Sequence, residues 1–298
     1  MNNPNSTEPM NIAVLGIGMM GWPMAQRLLA AGHHVHAWNR TRTKADRLAP
    51  LGAQVHDHVA QAVAQADLVI VMLENGDVVG DVLLAPATLA ALRPGSLVVD
   101  MSSIQPRQAR AHAARLQALG VAHLDAPVSG GTLGAEQGTL AIMVGGEAVD
   151  VARALPALNA LGRTTHVGDH GSGQLAKLAN QMIVGITIGA VAEALLLCEK
   201  GGADPAKVKD AISGGFADSR ILQVHGQRMV DGDFTKRAAM AVQLKDMRNA
   251  LSTAAEVGFD APITALYEQL FAQGVAEGLA EQDHSALFCS LARRNGMR

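Results

Sequence analysis

Cysteine is nearly absent: the 298-residue chain holds only Cys198 and Cys289, far apart in sequence. Two such thiols make neither a disulfide framework nor a thiolate zinc site, and they read as small buried apolar groups. Aromatics are scarce too, with five Phe, two Trp and one Tyr, so the interior must be packed mainly by Ala, Val, Leu, Ile and Met. No excess of positive charge is available for a polyanion: 24 basic and 27 acidic side chains leave a formal charge of -3, so no nucleic-acid partner is expected. The start, Met1 to Pro9, lacks the basic-then-apolar order of an export signal. The most apolar stretch, Leu178 to Ala192, is 15 residues long and contains Asn180 and Gln181. A membrane span needs about 20 apolar residues, so this segment is expected to be a buried helix of a cytoplasmic protein with no membrane partner.

What is present is a chain rich enough in apolar residues to fold, 49% hydrophobic and 17% charged. At about 100–200 residues per domain its length implies two domains. From Asn11 to about Gly168, β-branched runs alternate with helical patterns. The candidate strands are Ile12–Leu15, Val35–Trp38, Leu68–Leu73, Leu97–Asp100, His123–Ala126 and Leu140–Val144. Strand–helix alternation predicts a mostly parallel, doubly wound sheet, with the last strands close enough together to pair antiparallel at its edge. After Gly171 only helices are expected: Gln174–Lys200, Pro205–Ile212, Ser219–Val230, Met240–Val257 and Ile263–Gly278, broken by Gly-Gly, Asp-Pro and Ala-Pro pairs. The organisation is a tail over residues 1–10, an α/β domain over 11–170 and an all-α domain over 171–298, joined by a long helix with a cleft between the domains. Gly185-xxx-Gly189 within that helix would let another helix approach closely, in a core or an oligomer.

Gly16-Ile17-Gly18-Met19-Met20-Gly21 follows the first strand and opens a helix. Gly16 permits the tight turn, Gly18 lets a pyrophosphate reach the backbone and Gly21 lets helix and strand pack, which is the pattern of a dinucleotide site. The second strand ends at Trp38-Asn39-Arg40-Thr41, where an NAD-selective site usually carries an Asp or Glu. Here Asn39 can bond the ribose while Arg40 and Thr41 can hold a 2′-phosphate, which favours NADP over NAD; alternatively Arg40 joins Arg42 and Lys44 in a solvated basic face. Further on, Ser129 with the N–H groups of Gly130 and Gly131 can form a nest for a substrate carboxylate, or simply a hairpin. Gln174, Lys177 and Gln181 fall at i, i+3 and i+7, a polar stripe on an apolar helix. A Lys facing a cleft is desolvated and can exchange a proton near neutral pH, although lone helical lysines are usually surface groups. Histidines at 33, 34 and 36, at 56 and 58, and at 166 and 170 lack a Cys or carboxylate cluster to complete a site, so no metal is expected.

Taken in order, Gly16–Gly21, Asp125–Gly131 with Gly138-Thr139, Gly171–Gln181 and Lys245-Asp246 resemble the β-hydroxyacid dehydrogenase family over about Asn11 to Leu291. Gly214–Arg220, Asp283–Leu287 and the Asn180-Gln181 pair are most similar to its tartronate semialdehyde reductase branch. The resemblance implies a Rossmann-type N-terminal domain, an all-helical C-terminal domain and a homodimer or homotetramer. The substrate it implies is a small hydroxy- or oxo-carboxylic acid. It makes Lys177 the general acid/base, places the substrate on Ser129, Gly130, Gly131, Asn180, Gln181 and Asp246, and places NADP or NAD on Leu73, Glu74, Asn75, Ser103 and Lys245 besides the glycine loop. Glu74 stands where the family commonly has Pro, Ser103 where it has Thr, and Ala238 where a second aromatic is expected before Lys245. An imine reductase on the same scaffold, which usually lacks this Lys, and a non-catalytic dinucleotide-binding protein are the competing classes.

Overall fold

The protein, as a computed structural model, is described over residues 8–297. Most of the expected tail, Met1–Thr7, lies outside the described residues. The chain divides into two compact units, Met1–Lys177 and Leu178–Arg298.

The first unit is built on nine strands: β1 (Asn11–Leu15), β2 (His34–Trp38), β3 (Gln54–Val55), β4 (Leu68–Val71), β5 (Leu97–Asp100), β6 (Ala122–Asp125), β7 (Val128–Ser129), β8 (Leu140–Gly145) and β9 (Gly162–Gly168). They lie in the order β3-β2-β1-β4-β5-β6-β8-β7, with β9 paired to β8. Pairing from β3 through to β6 is parallel, so each connection crosses over a face of the sheet and both faces are covered. That explains the apolar runs. Ile12 and Val14 enter one core with Leu68, Ile70, Leu97 and Val99, while Ala13 and Leu15 enter the opposite core with Val69, Val71 and Val98. The strand order reverses at β1, between β2 and β4, and the crevice beyond its C-terminal end is where such sheets bind ligands.

Antiparallel pairing does appear at the far edge, where β6 and β7 both pair with β8, but β9 runs parallel to β8. Three strands escape the sequence pattern. β3 and β7 are two residues long, and β9 is a largely exposed edge strand, Gly-Arg-Thr-Thr-His-Val-Gly, that buries no apolar face. The fourth strand also ends at Val71 rather than Leu73, because the chain turns away after Met72 N–H bonds Leu15 O.

In the second unit the described residues form helices, joined by one isolated bridge between Ala239 and Asp283. Asp204 caps the helix Pro205–Ile212 through Ala206 N–H at 2.9 Å, so the Asp-Pro pair marks a helix start. The expected helices over Ser219–Val230 and Ile263–Gly278 each contain a wider π-turn, at Leu222–Gly226 and Val275–Leu279. The core is lined by Met240, Met247, Phe271 and Leu287.

The connecting helix, Ser172–Lys200, passes from one unit into the next. It was expected to be buried over Leu178–Ala192, yet only Leu178, Gly185, Ile188, Gly189 and Ala192 are fully so. Ile183 and Leu197 are 66% and 73% exposed, and by length and composition this helix alone among the described residues could cross a membrane. Its glycines explain the buried stripe. A Cβ on Gly185 would lie 2.1 Å from Met247 Cε, and one on Gly189 would lie 1.9 Å from Tyr267 Cε1. The close approach foreseen at these glycines is therefore made inside the unit, by the helices Met240–Glu256 and Pro262–Gly274.

Gly189→Ala should force a methyl into the buried Tyr267 ring and destabilise the protein by about 1–3 kcal/mol. Denaturant unfolding followed by far-UV dichroism reads this directly; an unchanged midpoint would mean the two helices do not meet there.

Candidate cofactor and acid–base site

Gly16 leaves β1 at φ +104, and a Cβ there would sit 2.2 Å from Met72 O, so the turn requires glycine. A Cβ on Gly21 would meet Gly16 O at 1.9 Å, where the helix Gly21–Ala30 packs onto the turn. A Cβ on Gly18 would meet nothing within 4 Å. Two glycines are thus demanded by the protein's own packing and the third by nothing in the protein. That clearance, at a helix N-terminus beside the sheet's switch point, fits a dinucleotide pyrophosphate. Ile17 is buried and Met19 is exposed.

Asn39 plays a part its position did not suggest. Its Oδ1 accepts Ile17 N–H at 2.9 Å and its Nδ2 donates to Thr41 O at 2.9 Å, so the amide latches the glycine loop to the turn after β2. Arg40 and Thr41 are exposed, whereas the neighbouring Arg42 is engaged by Asp46 and Asp57. After β4, Leu73 N–H donates to Ser102 Oγ at 3.0 Å, and Asn75 caps the helix Gly76–Leu83 through Val78 N–H. Glu74 is exposed and Ser103 half-buried.

The start of the long helix is bound into the first unit. Asp125, the last residue of β6, accepts Gly171 N–H at 2.7 Å and Gln174 N–H at 2.8 Å on its two oxygens. The Gln174 side chain, read in sequence as part of a polar stripe, is fully buried; it donates to Ser102 O at 2.8 Å and accepts Ile104 N–H at 3.0 Å. One turn on, Lys177 Nζ donates to Val128 O at 2.9 Å. Ser129 follows immediately, then Gly130 and Gly131, both exposed and at φ +135 and +64. The acid/base candidate and the carboxylate-nest candidate are therefore brought together.

Within the second unit the other candidates form a chain of polar contacts. Asn180 Nδ2 donates to Gln181 Oε1 at 2.8 Å, and Gln181 Nε2 donates to Asp246 Oδ2 at 2.7 Å. Lys245 Nζ lies 3.3 Å from Asp246 Oδ1. Gln243, buried and unnoticed in sequence, holds the Gln181 carbonyl at 3.0 Å. Ala238 is exposed, and its backbone is pinned by Asp283 Oδ2 at 3.1 Å and by His284 N–H at 2.8 Å.

Two family profiles match most of this chain. The "NAD binding domain of 6-phosphogluconate dehydrogenase" matches residues 11–168, and the "NAD-binding of NADP-dependent 3-hydroxyisobutyrate dehydrogenase" matches residues 171–291. The 2-hydroxy-3-oxopropionate reductase of Escherichia coli K12 is 42% identical over 95% of this chain and 97% of its own. The chain belongs to the 3-hydroxyisobutyrate dehydrogenase family, the β-hydroxyacid dehydrogenases. A structure of the Mycobacterium tuberculosis 3-hydroxyisobutyrate dehydrogenase with L-serine superposes with a TM-score of 0.88, at 35% identity over 95% of this chain and 99% of that one. Another, Psf3 in complex with NADP+ and 2-OPP, gives 0.86 at 27% identity over 94% and 99%. This β-hydroxyacid dehydrogenase is thus an NAD(P)-dependent oxidoreductase with a Rossmann-like first unit and a helical second one.

Several of the dehydrogenase's histidines pair with one another or with backbone: His36 with His56 at 3.1 Å, His170 with His123 O at 2.9 Å, His225 with His284 at 3.3 Å. His225, Asp283 and His284 have the residue types of a metal site, but Asp283 is already spent on Arg228 at 2.9 Å, Ser285 and Ala238.

Asp100 and Asp125 are register partners on adjacent strands, and both are fully buried. Burial raises both; in Asp100 it outweighs the Ser102 hydrogen bonds, and together with the Asp125 charge it pushes the group from 3.8 to about 7. Between those values the unfolded chain has released a proton that the folded chain keeps, so this group's contribution to stability falls as pH rises through that window. Buried His123, pushed from 6.5 down to about 3 mainly by burial, has the opposite sign: it stays neutral while the unfolded imidazole binds a proton, so its contribution falls as pH drops through that window. Asp100→Asn should remove the Asp100 slope, on the order of 1 kcal/mol per pH unit. Relative to the native protein the variant gains stability as pH rises from 5 to 7 in urea titrations and levels off above that; a pH-independent difference would contradict a neutral Asp100.

Proposed function

We propose that this dehydrogenase reduces tartronate semialdehyde (2-hydroxy-3-oxopropionate) to D-glycerate, preferring NADPH, with Lys177 as general acid/base. The observation that carries the reading is the 2.9 Å contact of Lys177 Nζ with Val128 O, one residue before Ser129. The bond to Val128 O fixes the ammonium beside the Ser129 loop, where a substrate oxygen can accept from it. Ser129 with the Gly130 and Gly131 N–H groups receives the substrate carboxylate and so sets the carbonyl relative to that amine. When bound, the reduced nicotinamide supplies the hydride. Lys177 supplies the proton as negative charge develops on the carbonyl oxygen, and takes it back in the oxidative direction. Asn180 and Gln181, one turn further along the helix, orient the substrate hydroxyl, with the Gln181 amide also holding Asp246 beside it. Lys245 belongs to the cofactor side, as do Leu73, Glu74, Asn75 and Ser103.

The choice of aldehyde rests on the 42% identity to the Escherichia coli reductase and on the Gly214–Arg220 and Asp283–Leu287 segments. A second reading, a longer or branched hydroxy acid such as 3-hydroxyisobutyrate, is favoured by Ala238, which leaves room where a second aromatic was expected. Exposed Arg40 and Thr41 support a 2′-phosphate, and Asn39 remains the ribose candidate only through whatever its latch leaves available. The uncovered Ile183, Leu197, Ile263 and Leu266 support a homo-oligomer built on the helical unit.

Initial rates of NADPH and NADH oxidation with tartronate, methylmalonate and succinate semialdehydes and a cyclic imine test this reading. Tartronate semialdehyde should turn over fastest. Lys177→Ala should lower kcat by about 10²–10⁴-fold with NADPH still bound, and Arg40→Ala should raise the KM for NADPH more than for NADH. A fast Lys177→Ala enzyme would sink the acid/base assignment, and a preference for methylmalonate semialdehyde would move the substrate to the second reading.

A further inference from the structure

We propose that Asp125 is a positioning residue for proton transfer, setting the register between Lys177 and the Ser129–Gly131 loop. The inference rests on Lys177 being the acid/base. Asp125 opens the segment that contains the nest candidates, yet its side chain reaches away from them and under the start of the long helix. There it accepts the N–H groups of Gly171 and Gln174, 46 and 49 residues on in sequence. The first N–H groups of a helix have no partner within it, and this start is buried, so the acceptors must come from elsewhere in the chain. A carboxylate is also the favourable charge at that end of the helix.

The pocket is shaped to the carboxylate. A Cβ on Gly145 would come within 2.7 Å of Asp125 Oδ1, and one on Gly173 within 2.9 Å of Oδ2. Three residues after Asp125, Val128 O receives Lys177 Nζ; three residues after Gln174 is Lys177 itself. The segments 125–128 and 171–177 are thus pinned at both ends, Asp125 to the helix start and Val128 to the catalytic amine. Gln174 ties the same frame to the loop at Ser102 and Ile104. Removing the Asp125 pin frees the helix start to shift against the loop. The substrate's carboxylate then sits correctly while the proton donor does not.

Asp100 supplies the control. It is equally buried, one strand over in the same register, and bonds the Ser102 backbone instead of the helix. Asp125→Asn turns an N–H donor toward one helix N–H, so only one of the two bonds survives. We expect kcat for the aldehyde to fall about 100-fold, as misplacement of a catalytic group by about 1 Å costs. NADPH affinity by fluorescence titration should stay within about twofold, and Asp100→Asn should be near native in both. In a Lys177→Ala background Asp125→Asn should cost little more, since the two act through one group. Should the Asn variant not fold, Asp125→Ser keeps one acceptor and is carried through the same cycle. Near-native kcat in both Asp125 variants, or an undiminished effect of either in the Lys177→Ala background, overturns the proposal. Full turnover by Lys177→Ala alone would instead overturn the acid/base reading beneath it.

Discussion

The N-terminus of one helix is the constraint on which the position of Lys177 depends. A helix that starts inside a protein exposes donors that must find acceptors, and the first turn of Ser172–Lys200 finds them on Asp125. Because Asp125 ends a central strand, the helix start inherits the rigidity of the sheet. The buried Gln174 adds a second tie, to the loop after β5, and only then does the chain present Lys177. The proposed acid/base needs placement to within a fraction of an ångström, and two buried anchors in the preceding turn hold the segment that carries it.

The cofactor side follows the same economy. Parallel strands covered on both faces leave the carboxyl ends of β1 and β4 as the open crevice, and the glycine loop sits there because the strand order reverses there. Gly16 and Gly21 are required by contacts with Met72 O and with each other, whereas Gly18 borders open space. A loop built only for packing would have no reason to spend a third glycine. Asn39 then holds the loop's shape from the end of β2, and Arg40 and Thr41 beside it stay exposed.

Local signals made much of this legible from sequence. The β-branched runs of the central strands, the glycine spacing and the Asp204-Pro205 helix start each act over a few residues, so each leaves a pattern. The Asp125 and Gln174 bonds span 46 to 72 residues and leave none. Gln174 shared a helical face with Lys177 and Gln181 and was grouped with them, but its partners are backbone groups of a distant loop. Gln243 was hidden among ordinary helix residues for the same reason. β9 was missed because an exposed edge strand has no apolar alternation to show. The long helix was read as buried from its composition, which cannot say whether an apolar face is covered within the chain or left open.

The central claim is that Lys177 and the Ser129–Gly131 loop hold an oxo acid for reduction by a bound nicotinamide. A single turnover with NADPH deuterated at the transferring C4 position, followed by mass spectrometry of the acid formed from tartronate semialdehyde, tests it most directly. The account predicts D-glycerate carrying one deuterium on the carbon that held the aldehyde. Bound cofactor with no deuterium in any product, from this aldehyde or from methylmalonate or succinate semialdehyde, would contradict it.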